Sequence, residues 1–210
     1  MLKNLQILLN SPLGLLELFI VFIISSCVFV LFVSILINFV ESRSCNKPKK
    51  EKKSIVETGT MTLFFFVFYA LIRFKIGVLA LDNISIRLFF IVIGLFMILA
   101  GCYVNVKGRL VLGKNWANQI KIYDDHTLVN ADVFSLVRHP LYSSLMMMFY
   151  GATLVYLNYA AFLANTFIFI PFMYYRAKQE EELLGNQFED YAKYKEQTGM
   201  FFPKDLNRKV

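Results

Sequence analysis

The sequence predicts an all-α, polytopic membrane protein with about five transmembrane helices, the last two forming a tight hairpin, followed by a C-terminal amphipathic helix. Apolar residues make up 57% of its 210 residues, whereas soluble domains contain roughly 45–50%. Apolar runs long enough to cross a bilayer recur along the chain. The net charge of +7 lies mainly in short segments beside these runs, where basic residues set topology and contact anionic lipids. This placement argues against nucleic-acid binding, which needs a basic face on a folded soluble domain.

Residues 1–106 are predicted to form three transmembrane helices, because the runs 13–40, 60–81 and 87–106 each reach or exceed the roughly 20 residues that cross the hydrocarbon core. The second run carries two charges, which are costly at mid-bilayer. We expect the long side chains of Arg73 and Lys75 to extend to the nearby interface rather than to face a cavity.

The third run has two glycines, Gly94 and Gly101, seven residues apart on one helical face. Small residues in this arrangement let helices approach closely in membranes. The pair therefore predicts tight packing of the third helix against a neighbour.

The remaining half, residues 107–210, begins with a polar stretch that extends to residue 138. This stretch is long for a structureless loop, so we expect it to be partly ordered, with Trp116 anchoring it at the interface. The apolar run 141–175 is too long for one helix. The aromatic and turn-forming patch at 156–159 divides it into two helices of about sixteen residues, which predicts the hairpin.

Loop charges predict the orientation. Apart from the two charges within the second run, eighteen Lys and Arg residues fall in 43–53, in 107–138 and from Arg176 onward, against Lys3 and Arg87 on the opposite side. Basic residues favour the cytoplasmic face, so the N-terminus is predicted outside and the C-terminus inside. A hairpin returns its ends to the same face, so the residues before the fourth helix and those after the fifth should meet there.

Polar residues stand directly against the predicted start of the fourth helix. Pro140 suits the first position of a helix, because its fixed φ is helical and its missing N–H would have no intrahelical partner. The free N–H groups that follow, with Arg138 and His139 beside them, would stabilise an anion. An equally acceptable interpretation is that Arg138 contacts lipid headgroups and His139 caps the helix. Neither His126 nor His139 has metal-ligand spacing, so no metal site is predicted.

On the fifth helix, Pro171 is expected to bend the helix because it removes the hydrogen bond to the carbonyl of Phe167. Arg176 and Glu180 are four residues apart and share a face. They form either an ordinary helical ion pair or one wall of a pocket with both cationic and anionic groups, which would suit a zwitterion. A periodic stripe then predicts an amphipathic helix lying along the interface and covering this pocket; it comprises Leu184, Phe188, Tyr191 and Tyr194.

These residues resemble the isoprenylcysteine carboxyl methyltransferase family and its relatives, the phospholipid methyltransferases. The resemblance rests on the motif RHPLY at 138–142, the hydrophobic hairpin after it, and then Arg176, Glu180-Glu181 and the aromatic stripe. It covers about residues 105–203. The chain departs from the family where Ser144 replaces a glycine after the RHP motif.

The resemblance implies a membrane-embedded methyltransferase that uses S-adenosyl-L-methionine, with residues 107–210 as the cofactor-binding catalytic region on the cytoplasmic side. It implies that Arg176 is a catalytic residue that faces the methyl acceptor, a prenylated cysteine or another lipophilic carboxylate. It also implies that Glu180 contacts the cofactor. The other implied cofactor-binding residues are Gln119, His126, Thr127, Leu128, Val129, Phe134, His139, Pro140, Leu141 and Tyr142.

Three alternatives remain open at this point. A phospholipid amine could be the acceptor, although a cationic Arg176 suits a carboxylate better. A nicotinamide-dependent sterol or isoprenoid reductase shares a similar C-terminal architecture. A membrane lipid-binding protein without enzymatic activity would bind neither cofactor.

Overall fold

A computed structural model of the chain describes residues 11–43, 50–52, 55–115, 120–122 and 127–204. Within these ranges the fold is helical, apart from two three-residue strands that pair antiparallel. The elements in chain order are α1 (Pro12–Arg43), β1 (Lys50–Lys52), α2 (Ile55–Arg73), α3 (Ile84–Leu112), β2 (Ile120–Ile122), α4 (Val133–Leu136), α5 (Pro140–Val155), α6 (Tyr159–Ala164), a π-helical turn (Asn165–Phe169), α7 (Ile170–Gly185) and α8 (Tyr191–Gln197). Because α6, the π turn and α7 follow one another without a gap, we call them together the return helix.

Helix α5 lies at the centre of the fold, between two clusters of buried side chains. On one side Phe169 of the return helix stacks on Phe64 of α2, with 4.7 Å between the ring centroids, and meets Phe149 of α5 edge-on. The buried members of this cluster are Phe64, Phe68, Met146, Ala161, Ala164, Phe169 and Met173. The second cluster joins α5 to α1 and α3, and consists of Ile20, Cys27, Ile91, Ile98, Cys102 and Val155.

Glycines bring α3 and α5 together, as the spacing of Gly94 and Gly101 predicted. A Cβ added to Gly94 would lie 2.5 Å from the carbonyl oxygen of Gly151, and one on Gly101 would lie 2.9 Å from that of Ser144. Gly94 meets the later residue of α5 and Gly101 the earlier one, so the two helices run antiparallel. A buried polar contact supports the same interface, because the Asn105 side chain donates to Ser144 Oγ at 2.8 Å and to the Leu141 carbonyl at 3.2 Å.

Substituting alanine for Gly94 is expected to lower the free energy of unfolding by about 1–3 kcal/mol, because the nearest obstructing atom, the Gly151 carbonyl oxygen, is backbone and cannot move aside. Thermal or SDS-induced unfolding in detergent micelles measures the change. Gly59→Ala is the matched control, since a Cβ at that helical position meets nothing within 4 Å. Equal stability of the two variants would contradict the close packing.

Helices α1 and α3 are long and apolar enough to cross a bilayer, α1 over Pro12–Val40 and α3 over its 29 residues. Their apolar side chains mostly point away from the protein: Phe22, Phe29 and Phe96 are each at least 67% exposed. Exposed apolar surface on this scale marks contact with a membrane or a partner rather than water. By length, composition and exposed apolar surface, the two helices are able to cross a membrane.

The second apolar run differs from its prediction in length. Helix α2 ends at Arg73, so the run 60–81 is only partly helical, and both Arg73 and Lys75 are exposed at the helix end. Their extension to a membrane interface stays a prediction. The connector is partly ordered, as expected, since α3 continues to Leu112 and β2 pairs with β1. Trp116 lies outside the described residues.

The C-terminal half differs from prediction at two places. Before Pro171 the chain forms a π-helical turn, in which the N–H of Ile170 bonds to the Asn165 carbonyl, so the missing proline donor is accommodated by a wider turn. The amphipathic helix predicted after Glu182 is not continuous, because α7 ends at Gly185 and α8 begins only at Tyr191.

Candidate active site

The candidate site begins at the first turn of α5. His139 occupies the N-cap position and Pro140 the first helical turn, as predicted. His139 is 5% exposed, and its ring lies parallel to that of Tyr142, with 5.5 Å between centroids. His139 thus caps the helix with its backbone carbonyl, but its side chain makes no capping hydrogen bond, so the imidazole is available to other partners.

The carboxylate of Glu180, on α7, meets this turn. The Tyr142 hydroxyl donates to Glu180 Oε2 at 2.9 Å, and His139 Nδ1 lies 3.6 Å from the same oxygen. Residues 38 and more positions apart are thus in contact. The sequence-based expectation that the start of α5 and the end of the return helix meet is therefore confirmed.

The neighbouring Glu181 forms the strongest ion pair of the cluster. Arg138 donates from Nη2 at 2.6 Å and from Nε at 2.9 Å to Glu181 Oε1, and His139 Nε2 lies 3.4 Å from that oxygen. Both side chains of the Arg138–Glu181 pair are buried. Lys195 of α8 lies 3.1 Å from Glu181 Oε2. Arg138 thus pairs with a protein carboxylate, and the interpretation in which it contacts lipid headgroups is wrong.

Glu181 was not among the predicted site residues, although it belongs to the acidic run after α7's apolar part. Adjacent residues on a helix point about 100° apart, so Glu180 and Glu181 reach different partners. The signal available in the sequence was the paired acid, which does not tell which glutamate meets which cation.

A segment after α8 completes the cluster from the other side. Arg138 donates its backbone N–H to the Gly199 carbonyl at 2.8 Å, and His139 donates its own to Met200 at 3.1 Å. The Arg138 side chain also donates to the carbonyls of Lys195 and Thr198. The segment 195–200 is therefore fixed to the RHP motif by both backbone and side chain.

Arg176 lies on the face of α7 that carries Glu180. Its Nη1 is 3.9 Å from the sulfur of Met61 on α2, and its charge acts on both Glu180 and Tyr142. Arg176 is thus near the start of α5, as predicted, but at the side of the cluster that adjoins α2. The structure brings together His139, Tyr142, Arg176 and Glu180.

The predicted connector residues lie in a separate stretch. Thr127 exchanges two hydrogen bonds with Asn115, at 3.1 and 3.2 Å, just past the end of α3. Leu128 and Val129 follow and are half-buried. Phe134 is buried in α4, and its carbonyl accepts a 2.6 Å hydrogen bond from Tyr194. Gln119 and His126 lie outside the described residues.

Pairing shifts the pKa values of the cluster in opposite directions. Burial alone would lower the pKa of His139, but the hydrogen bonds and charges of Glu180 and Glu181 raise it above 6.5. Burial raises the pKa of Glu181, and hydrogen bonds from His139, Arg138 and Lys195 reverse this, lowering the pKa from 4.5 to about 2. The pKa of Glu180 is also lowered, since His139 and Tyr142 outweigh its burial. The two carboxylates therefore favour the protonated form of the buried His139.

This charge arrangement predicts a stability maximum on the acidic side of neutral. The imidazolium contribution is complete below pH 6.5 and is lost as the pH rises through the raised pKa of His139, whereas the carboxylate contributions are complete above pH 4.5 and are lost as the pH falls towards 2. We expect the Tm in detergent to be highest between pH 4.5 and pH 6.5. His139→Gln should remove the decline above pH 6.5, and a wild-type Tm that does not fall there would contradict the assignment.

Two buried polar side chains, one on α7 and one on α8, have no hydrogen-bond partner in the described part of the chain. In Gln179 both the amide nitrogen and the amide oxygen lack a partner, and in Tyr191 the hydroxyl lacks one. They are 8% and 3% exposed. An unpartnered buried polar group costs roughly 1–3 kcal/mol, so each of these two side chains is a candidate to hydrogen-bond water or a polar ligand. Gln179 follows Arg176 by three residues on α7, and Tyr191 lies within the electrostatic influence of Glu181 and Arg138.

Among the described residues, no group of three or more His, Cys, Asp and Glu side chains could hold a metal ion. What the cluster offers instead is fixed charge of both signs around a helix N-terminus. A cationic arginine adjoins the apolar helix α2, and the carboxylates lie beside polar groups.

Comparison with known proteins agrees with the sequence resemblance. Residues 92–186 match the model of the isoprenylcysteine carboxyl methyltransferase (ICMT) family, which confirms the resemblance over α5, the return helix and most of α3. The chain is 27% identical over 106 residues to a probable protein-S-isoprenylcysteine O-methyltransferase of Oryza sativa subsp. indica, covering 48% of this chain and 56% of the relative. It is 28% identical over 115 residues to the protein-S-isoprenylcysteine O-methyltransferase of Saccharomyces cerevisiae, covering 53% and 48%.

A solved structure shares the fold. The eukaryotic intramembrane Ras methyltransferase ICMT, solved without a monobody, superposes with a TM-score of 0.52 at 23% identity, covering 72% of this chain and 53% of that one. At this identity the likeness concerns the fold. The chain spans about half the length of the curated relatives it matches.

Proposed function

We propose that this chain, related over residues 92–186 to the isoprenylcysteine carboxyl methyltransferase family, is an integral-membrane methyltransferase that uses S-adenosyl-L-methionine. Its acceptor is the carboxylate of an isoprenylcysteine-like or other lipophilic molecule. The observation that carries the proposal is the contact between the first turn of α5 and α7, in which His139 and Tyr142 meet Glu180 at 3.6 and 2.9 Å. Arg176 stands beside this contact.

The residues present fit the proposed cofactor. S-adenosyl-L-methionine carries a carboxylate, an amine and a sulfonium, and supplies an activated methyl group when bound. The N-terminus of α5 favours an anion, whereas Glu180 is an anionic group for the amine or the sulfonium. The unpartnered amide of Gln179 and hydroxyl of Tyr191 add neutral hydrogen-bonding groups. The cofactor-binding residues proposed from the family stay Thr127 to Val129, Phe134, His139 to Tyr142 and Glu180, with Gln119 and His126.

The chain's own contribution to methyl transfer is alignment. A carboxylate is already a nucleophile, so the acceptor needs no general base, and the protein must orient it in line with the methyl group and exclude water. Arg176 is positioned for the acceptor carboxylate because it lies between the polar cluster and the apolar α2, near Met61. Tyr142 and His139 hold the Glu180 carboxylate, so Arg176 is not the sole partner of that carboxylate.

The proposed topology has five spans: α1, α2, α3, α5 and the apolar part of the return helix, the last two as a hairpin. The N-terminus is outside, and the candidate site with residues 107–210 is on the cytoplasmic side. Support comes from the loop charges and from the antiparallel contacts of α5 with the return helix, such as Tyr150 to Thr166 at 2.9 Å. Prenylated cysteine or lipid would enter from the bilayer, consistent with an arginine beside a membrane helix.

The test combines binding and turnover in detergent. S-adenosylhomocysteine at 100 times its Kd should stabilise the protein by about 2.7 kcal/mol, whereas NADPH should have no effect. Radiolabelled methyl transfer is then measured to a prenylcysteine, a phosphatidylethanolamine and a small thiol. Transfer to the prenylcysteine supports the proposal, and transfer only to the amine identifies an N-methyltransferase. Stabilisation by NADPH would indicate a reductase, and binding of neither cofactor a lipid-binding protein.

A further inference from the structure

The end of α2 is closed by hydrogen bonds rather than left open. Ile76 donates its backbone N–H to the Leu71 carbonyl at 3.0 Å, and Lys75 donates to Ile72 at 3.2 Å. These bonds, with Lys75 at φ 55°, form a Schellman motif. Glycine normally occupies this left-handed position, so the chain accepts strain at Lys75 to keep the cap.

The end of α5 is closed in the same way. Asn158 donates its N–H to the Thr153 carbonyl at 2.9 Å, and Leu157 donates to Leu154 at 3.2 Å. Leu157 has φ 48°, a left-handed conformation that costs a non-glycine residue roughly 1–2 kcal/mol. At both helix ends, terminal carbonyls thus accept hydrogen bonds within the protein. Each end also holds a non-glycine residue in the left-handed conformation.

The two caps are also joined to each other. Tyr159 donates to the Gly77 carbonyl and Leu79 to the Leu157 carbonyl, each at 2.8 Å. The side chain of Asn158, 1% exposed, donates to the Leu71 carbonyl at 3.1 Å and accepts from Ala161 N at 2.8 Å. At both helix ends, backbone groups that water would satisfy at a protein surface are thus satisfied by protein.

The outer surface of this junction carries large apolar side chains beside the exposed Arg73 and Lys75. Phe74 is 71% exposed, Ile76 52% and Leu79 50%. The helices that end here are short: the apolar part of α2 has 15 residues and α5 has 16, which at 1.5 Å per residue gives about 22–24 Å. The hydrocarbon core is about 30 Å thick, so helices that begin at one surface end below the other.

From these observations we infer that segment 74–80 and the turn 156–159 form a cap that lies inside the hydrocarbon layer, in contact with lipid acyl chains. Non-helical backbone at membrane depth is tolerated only where its polar groups are satisfied internally, and the two closed helix ends and the hydrogen bonds between them supply such partners. The charged ends of Arg73 and Lys75 extend towards the headgroups. The inference depends on the membrane location of the chain and not on the proposed methyl transfer.

Cysteine accessibility in liposomes tests the cap. Single cysteines at Phe74, Ile76 and Leu79 are introduced after Cys27, Cys45 and Cys102 have been replaced by serine or alanine. A membrane-impermeant maleimide should label each at least tenfold more slowly than a cysteine at Asp82, which is exposed a few residues further on. All four positions should react equally once the protein is unfolded in SDS.

Depth measured with spin labels on the same cysteines provides an independent reading. Labels at 74, 76 and 79 should collide more often with oxygen than with a water-soluble nickel chelate, and the label at 82 should show the reverse. Labelling of the cap positions as fast as position 82, or chelate-accessible labels there, would overturn the inference. Both outcomes can be observed whether or not the protein methylates anything.

Discussion

Glu181→Gln is expected to lower the free energy of unfolding by about 3–5 kcal/mol, because it leaves Arg138 buried without its carboxylate. The Arg138–Glu181 contact is bidentate from the guanidinium, at 2.6 and 2.9 Å, and the two side chains are 7% and 2% exposed. His139 loses one of its two carboxylate partners at the same time. Unfolding in detergent, followed by circular dichroism, measures the change.

The chain contains a matched control for this substitution. Glu182→Gln removes the same charge one residue further along the same helix, where the side chain is exposed, and surface changes of this kind are usually within ±0.5 kcal/mol. Equal effects of the two substitutions would show that net charge, and not the buried pair, determines stability. Replacing both Arg138 and Glu181 with apolar residues should cost less than the sum of the single changes, because neither leaves an unpaired charge.

The meeting of distant residues at the site was predictable from the sequence, whereas their pairing was not. A proline after His139 indicates a helix start, and an apolar run of twice the usual length indicates a return to the same side. These two patterns are enough to bring the acidic run 180–182 to the first turn of α5. They do not distinguish Glu180 from Glu181, because that choice depends on the rotation of α7 about its axis, which packing of Phe169 and Met173 fixes.

The break between α7 and α8 shows where periodicity fails as a guide. The spacing of four apolar residues is that of one helix: Leu184, Phe188, Tyr191 and Tyr194. Tyr191 and Tyr194 are nevertheless buried, because α8 packs against the RHP motif and the Tyr194 hydroxyl donates to the Phe134 carbonyl at 2.6 Å. A tertiary contact thus overrides the local pattern. Likewise, strands of three residues, such as those that join Lys50–Lys52 to Ile120–Ile122, are too short to show any periodicity.

Arg176→Ala is expected to reduce kcat/KM for a carboxylate acceptor by about 10²–10³-fold, which corresponds to roughly 3–4 kcal/mol of lost transition-state stabilisation. The physical reason is the loss of the proposed cation for the acceptor carboxylate, while the partners of Glu180, namely His139 and Tyr142, stay in place. The Kd for S-adenosylhomocysteine should therefore change by less than about threefold. Radiolabelled methyl transfer and isothermal titration in detergent measure the two quantities.

Two further variants decide between a specific role and a general effect of charge at Arg176. Arg176→Lys keeps the charge but not the planar fork, so it should recover only part of the activity. Lys178→Ala removes an exposed cation two residues away, whose ammonium lies 5.5 Å from the Tyr174 ring centroid, and should retain near-normal turnover. If Arg176→Ala instead abolished binding of S-adenosylhomocysteine, Arg176 would belong to the cofactor site, and the acceptor carboxylate would have to be bound elsewhere, because the same guanidinium cannot hold both.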